Sequence, residues 1–142
     1  MIALTDIARR GEGQLVTLAE ISERQGISLA YLEQIFVKLR RAEIVESARG
    51  PGGGYRLLRA PEAIRISEVL TAVDETMDAL ARGAGATGAD TGSTSQELCE
   101  KLWEGLSAHV YVYLHQTRLS DVIGNTLAPC PAVPVFVEMV DA

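Results

Sequence analysis

Apolar residues recur at helical spacing in the first part of the chain, then give way to short extended runs around a glycine cluster. Ile2, Leu4, Ile7 and Ala8 provide the apolar face of a first helix over residues 2–10, which Gly11-Glu12-Gly13 ends. Thr17 is placed to cap a second helix, with Glu20 three residues later completing a capping-box pattern and Gly26 stopping it. Ser28 caps a third, in which Leu32, Ile35, Phe36 and Leu39 follow the i, i+3, i+4, i+7 rule. Residues 44–47 and 55–58 then read as strands of a hairpin whose tip is Arg49-Gly50-Pro51-Gly52-Gly53-Gly54. Glycine takes the positive φ angles of such a tip without steric cost.

Past a turn at Ala60-Pro61-Glu62, a fourth helix starts at Ile66 and is expected to run through Val73 to Met77 or Leu80. Residues 81–94 hold four glycines and no large apolar side chain, so they are expected to be mobile. Ser95 is expected to cap a long helix ending near Gln116. Leu98, Leu102, Leu106, Val110 and Tyr113 or Leu114 share one stripe of it, with Trp103 alongside. A long apolar face so far from the first helices suits packing against a second copy of the chain, the alternative being a core role within its own chain. A short helix from Ser120 ends at Gly124-Asn125, and the tail, with Pro129, Pro131 and Pro134, reads as extended.

The expected fold is mainly α: a winged helix-turn-helix domain followed by a long C-terminal dimerisation helix. Its parts are a DNA-binding unit over 1–80, a flexible Gly-rich loop over 81–95, dimerisation helices over 96–127 and an extended tail over 128–142. Two short helices joined by a glycine-containing turn, the second amphipathic and basic at its end, describe a helix-turn-helix. In that motif the first turn of the second helix meets the major groove. Here it would present Ser28, Ala30, Tyr31, Glu33, Gln34 and Lys38. Glu accepts from cytosine, Gln pairs with adenine, and Ser or Tyr holds phosphates or base edges. Lys38, Arg40, Arg41 and Arg56 are candidate phosphate contacts. Arg49, with Gly50 beside it, is placed to enter a narrow, electronegative minor groove.

Charge changes the picture only when it is located. The net charge is −6, yet residues 1–68 hold ten Lys/Arg against nine Asp/Glu, and residues 69–142 hold three against ten. Between Lys38 and Arg59, six basic residues face two acidic ones. Phosphate affinity follows local rather than net charge. A nucleotide-binding reading of the glycine cluster fails, because no Lys-Ser/Thr follows it and the chain returns into a strand rather than a helix. No Ser-His-Asp set, carboxylate pair or metal motif points to an enzyme. No apolar run approaches the roughly 18 residues of a membrane span, and no secretory leader pattern opens the chain. Two cysteines, Cys99 and Cys130, make no disulfide framework, which points to a reducing cytoplasm.

The stretches from Leu18 to Ser28, Tyr31-Leu32-Glu33-Gln34, Arg49-Gly50-Pro51-Gly52-Gly53-Gly54-Tyr55, Ile66-Ser67-Glu68-Val69, Ala72-Val73-Asp74-Glu75 and Leu102-Trp103 resemble the winged-helix regulators typified by the iron–sulfur cluster regulator IscR. The resemblance spans most of residues 1–127. It implies a homodimeric transcription regulator, acting as a repressor at a palindromic promoter site in iron–sulfur, iron or redox-linked gene control. Ser28, Tyr31, Glu33 and Gln34 would lie at the major groove, and Arg49 and Gly50 at the minor groove.

This sequence departs from the family pattern in two places. Family members begin earlier, with a Lys/Arg-bearing segment and the first turn of the first helix, so those phosphate contacts fall outside this sequence. The family also holds a 2Fe–2S cluster with three cysteines and a histidine, in the loop before the long helix and at its start. Here that loop has no cysteine, and the last cysteine and the histidine of the motif fall on Glu97 and Glu100. Carboxylates suit iron–sulfur clusters poorly. Cys99 is the one nearby thiol, with Cys130, His109 and His115 further along. The readings left open are a DNA-binding regulator without a cluster, a sensor with a noncanonical cluster using Cys99, and a protein-interaction module that has lost DNA binding.

Overall fold

The computed structural model describes residues 1–73 and 92–128. The expected extension of the fourth helix past Val73, the glycine-rich loop up to residue 91 and the tail from Pro129 lie outside them. Helix α1 (Ile2–Arg9) is seated in the core by Ala3, Leu4 and Ile7, although Met1 supplies no side-chain cap. Helix α2 (Leu18–Gln25) starts from the capping box read in the sequence. The Thr17 hydroxyl accepts from the Glu20 N–H at 3.2 Å, and the Glu20 carboxylate accepts from the Thr17 N–H at 2.8 Å. Those bonds from Thr17 hold the Glu20 carboxyl below its ordinary pKa. Gly26 ends α2 in the left-handed region, at φ +64°.

Helix α3 (Leu29–Arg41) is capped by Ser28, whose hydroxyl accepts from the Tyr31 N–H at 3.4 Å. It buries Leu32, Phe36 and Leu39. The turn between α2 and α3 is tied by the Ser22 hydroxyl, which donates to the Ile27 carbonyl at 2.6 Å. A further clamp joins α1 to α2, where the Asp6 carboxylate accepts from the Arg24 guanidinium and from Gln25 Nε2 at 3.0 Å. The Arg24 hydrogen bond holds the Asp6 carboxyl below its ordinary 3.8, outweighing the burial that raises it.

Strands β1 (Val45–Ala48) and β2 (Gly54–Leu57) form the antiparallel hairpin, pairing Val45 with Leu57, Glu46 with Arg56, Ser47 with Tyr55 and Ala48 with Gly54. Both strands sit one residue towards the tip relative to the ranges expected from sequence. Gly54 enters the ladder because β2 also runs against Val16 on its other side. Val16 and Tyr55 exchange both backbone hydrogen bonds, at 2.9 and 2.8 Å. A Cβ on Gly54 would fall 2.7 Å from the Val16 backbone.

A 3-10 turn (Pro61–Ala63) leads to α4 (Ile66–Ala72), α5 (Thr94–Gln116) and α6 (Leu119–Ile123). Helix α5 is capped by Ser93 rather than Ser95, so residues 94 and 95 belong to the helix. Ser93 has Gln96 three residues on, and the two exchange capping-box bonds at 3.3 Å, whereas a cap at Ser95 would have apolar Leu98 in that place. After α5 the chain returns to the winged unit. Leu119 is fully buried with Ile21, Phe36, Ile44 and Ile64 in one core, and its N–H donates to the Ile64 carbonyl at 2.9 Å.

Gly54→Ala should destabilise the protein by about 1–3 kcal/mol in urea unfolding, because backbone, not a movable side chain, occupies the space a methyl needs. Since the Asp6 carboxyl is held low, its contribution is complete above pH 3.8 and is lost as pH falls through the lower folded value. Asp6→Asn should cost roughly 0.5–1.5 kcal/mol at neutral pH and flatten the acid limb of the stability profile. An unchanged acid limb in that variant would remove Asp6 from the account.

Candidate nucleic-acid interface

The N-terminal half of α3 divides cleanly, because the core takes Leu32 and Phe36 and leaves the opposite side to solvent. Ser28, Ala30, Tyr31, Glu33 and Gln34 are all exposed. Ser28 spends its hydroxyl on the cap. Glu33 and Gln34 make no hydrogen bond to the rest of the protein among the described residues, so their acceptor and donor groups are available to an incoming ligand.

The basic residues separate into used and unused cations. Lys38 departs from the expected open face: it is half-buried, and its ammonium donates to the Val73 carbonyl at 3.4 Å, which turns it towards α4. Arg40 is exposed and leans on β1, with Nη1 3.4 Å from the Ser47 hydroxyl. Arg56 is exposed but ion-paired with Glu46, its cross-strand neighbour, so that pair carries no net charge. Arg59 braces the exit from the hairpin, donating to the Glu43 and Ala63 carbonyls and to the Glu68 carboxylate. Arg41 and Arg49 remain exposed, without a side-chain partner among the described residues.

Arg49 stands at the shoulder of the loop between β1 and β2. The loop closes through the Gly53 N–H, which donates to the Gly50 carbonyl at 2.9 Å, while Gly50 and Gly52 take φ of +96° and +77°. A Cβ on Gly53 would lie 2.4 Å from the Ala48 carbonyl oxygen. The loop thus makes a tight, hydrogen-bonded turn with an exposed arginine at its shoulder. Its base is joined to the core-facing side of α3. Tyr55 of β2 meets Phe36 of α3 edge to face, with ring centroids 5.0 Å apart and planes at 70°. The spacing analysis missed Val16 as part of this assembly. The available signal was Gly54 itself, since a glycine inside a strand marks a close backbone approach.

Helix α5 buries no residue fully. Leu98 and Leu102 are 62% and 64% exposed, and Leu106, Tyr111, Val112 and Tyr113 are exposed too. Trp103, Val110 and Leu114 are half-buried. Val110 and Leu114, expected on the same stripe, are less exposed than Leu98, Leu102 and Leu106.

Cluster binding fits these residues poorly. Among the described residues, no group of three His, Cys, Asp or Glu comes together as a metal site. Cys99 is exposed on α5. At 1.5 Å per residue, His109 and His115 lie about 15 and 24 Å along the same helix from it, too far to share one cluster within a chain. His109 Nδ1 is 2.8 Å from the Gly105 carbonyl, and His115 Nδ1 is 3.2 Å from the Ser67 hydroxyl. Cys130 lies outside the described residues.

Comparison with known proteins agrees with this geometry. The Rrf2 family, described as an iron-dependent transcriptional regulator, matches residues 1–125. The HTH-type transcriptional regulator IscR of Cereibacter sphaeroides is 60% identical over 143 residues, covering 99% of this chain and 92% of that protein. Among solved structures, T. potens IscR is 30% identical with a TM-score of 0.60, over 88% of this chain and 80% of that one. Staphylococcus aureus CymR, 24% identical, shares the fold with a TM-score of 0.65, over 84% of this chain and 88% of that one.

Proposed function

The chain belongs to the Rrf2 family of transcriptional regulators, and we propose that it acts as a homodimer that represses transcription by occupying a palindromic promoter site. It is a DNA-binding regulator with a winged helix, and its relatives are HTH-type regulators rather than enzymes. No described helix is long and apolar enough to cross a membrane. The protein-interaction reading has nothing in its favour beside this membership.

One observation carries the proposal. An exposed face of α3, where Glu33 and Gln34 have no hydrogen-bond partner among the described residues, stands beside a tight glycine wing whose arginine is unpaired among them, both on one packed body. In this reading Tyr31, Glu33 and Gln34 meet base edges from the major groove, with Ser28 holding the first turn. Arg49 enters the adjacent minor groove, and Gly50 lets the backbone approach it. Arg41 and Arg40 hold phosphates. Arg56 serves the wing through Glu46 before it serves DNA, and Lys38 braces α3 against α4. The exposed stripe of Leu98, Leu102 and Leu106 supports the homodimer, since so much apolar surface on one helix is covered most simply by its twin. The family description and the IscR relatives support iron or iron–sulfur metabolism as the regulated process. The donor set does not support a cluster built by one chain's described residues.

Selection of bound duplexes from a random pool, followed by footprinting, should return a two-fold symmetric site; a single asymmetric half-site would sink the dimeric reading. Arg49→Ala should cost about 1–3 kcal/mol at the selected site and far less on random DNA. Equal loss on both would reduce Arg49 to a phosphate contact. Arg41→Ala should weaken all sequences alike and lower the salt slope by about one. Leu102→Glu should leave the fold intact, shift sedimentation to monomer and weaken binding to the full site by roughly 100-fold.

A further inference from the structure

Helix α5 meets the winged unit at its C-terminal end, where a set of polar contacts adds to the core packing of Leu119 just beyond it. Ser67 of α4 is the buried polar residue among those described, at 7% exposure. Its hydroxyl lies 3.2 Å from His115 Nδ1, in the last turn of α5. Tyr111, one turn earlier, stacks on the imidazole with centroids 5.6 Å apart and planes at 17°. Arg65, at the entrance to α4, donates from Nη1 to the His115 carbonyl at 2.7 Å. The backbone closes the junction: the Ile66 N–H donates to the Thr117 carbonyl at 3.0 Å, and Arg65 bridges to Arg118. Thr71 donates to the Ser67 carbonyl at 2.9 Å, and α4 in turn reaches α3 where Lys38 donates to the Val73 carbonyl. Hydrogen bonds thus tie the end of α5 to α4, and α4 to α3.

The mechanical consequence follows from length. Helix α5 has 23 residues, which at 1.5 Å each makes a lever of about 35 Å. Among the described residues, its hydrogen bonds to the winged unit all lie at its C-terminal end, so its direction relative to α3 is set there. A tilt of about 10° at the junction moves the far end by about 6 Å, nearly two base-pair steps of 3.4 Å. Paired reading helices must lie about one helical turn of DNA apart, roughly 34–36 Å.

We propose that Ser67 and His115, locked by Tyr111 and Arg65, are positioning residues that set the spacing of half-sites this regulator accepts. This rests on the homodimeric reading given above. Neither residue touches DNA in this account; each acts by fixing the angle between α5 and the winged unit. A soft joint would let the two heads search a range of separations, trading spacing selectivity for effective-concentration behaviour like that of a flexible linker.

The test uses the selected duplex with its half-sites kept constant and the spacer changed in single base pairs from two fewer to two more. Binding is read by fluorescence anisotropy, with sedimentation of each protein in parallel. Wild type should prefer one spacing over its two-base-pair neighbours by about 10-fold or more. Ser67→Ala and His115→Ala should remain dimeric and bind all spacings within about threefold of one another. His115→Asn, which keeps an acceptor near the place of Nδ1, should restore the preference. Uniform weakening with the spacing profile unchanged would mean that the pair only stabilises the fold, and would overturn the proposal. A monomeric wild type on a single half-site would overturn the dimeric reading, and this inference with it.

Discussion

The backbone pair between Val16 and Tyr55 is the constraint on which the rest of the winged unit depends. Val16 leads directly into Thr17, the cap of α2, while Tyr55 belongs to β2 and presses its ring against Phe36 of α3. Two hydrogen bonds and one aromatic contact thus bind the entrance to the helix-turn-helix, the reading helix and the wing into one body. The approach is close enough that position 54 tolerates no side chain. A hairpin held through β1 alone would leave its arginine free to swing. Held on both sides, the wing keeps a constant offset from α3, which is what simultaneous contact with neighbouring grooves requires.

Most of the cations in the basic stretch serve the fold. Arg59 gathers two carbonyls and a carboxylate, Arg56 neutralises Glu46, Lys38 reaches α4, and Arg40 leans on Ser47. What faces outward is a small set of unpaired groups on a chain whose net charge is −6.

Helix α5 shows the opposite economy. Its apolar residues lie open along its length, while its last turn is pinned by hydrogen bonds to α4. Its exposed stripe and its polar anchor occupy different parts of the same helix. Association along the stripe can thus be transmitted to α3 through a junction that burial alone would not orient, because hydrogen bonds are directional and apolar contact is not.

The helix starts at Thr17 and Ser28, the stop at Gly26, the hairpin, and the apolar faces of α1 and α3 were legible in the sequence. Each depends on residues within a few positions of one another, where capping bonds, turn conformations and periodicity act. The family was legible for the same reason, being written in contiguous motifs. Even there the cap of α5 went to Ser93, because the partner three residues on, not the hydroxyl alone, makes the box. Tertiary structure alone decided which of the described cations are spent on internal contacts, and that Val16 completes the wing. It alone brought Ser67 to His115, 48 residues away. Such pairings depend on how separate elements pack, and no local propensity encodes the distance between side chains that only the folded core brings together.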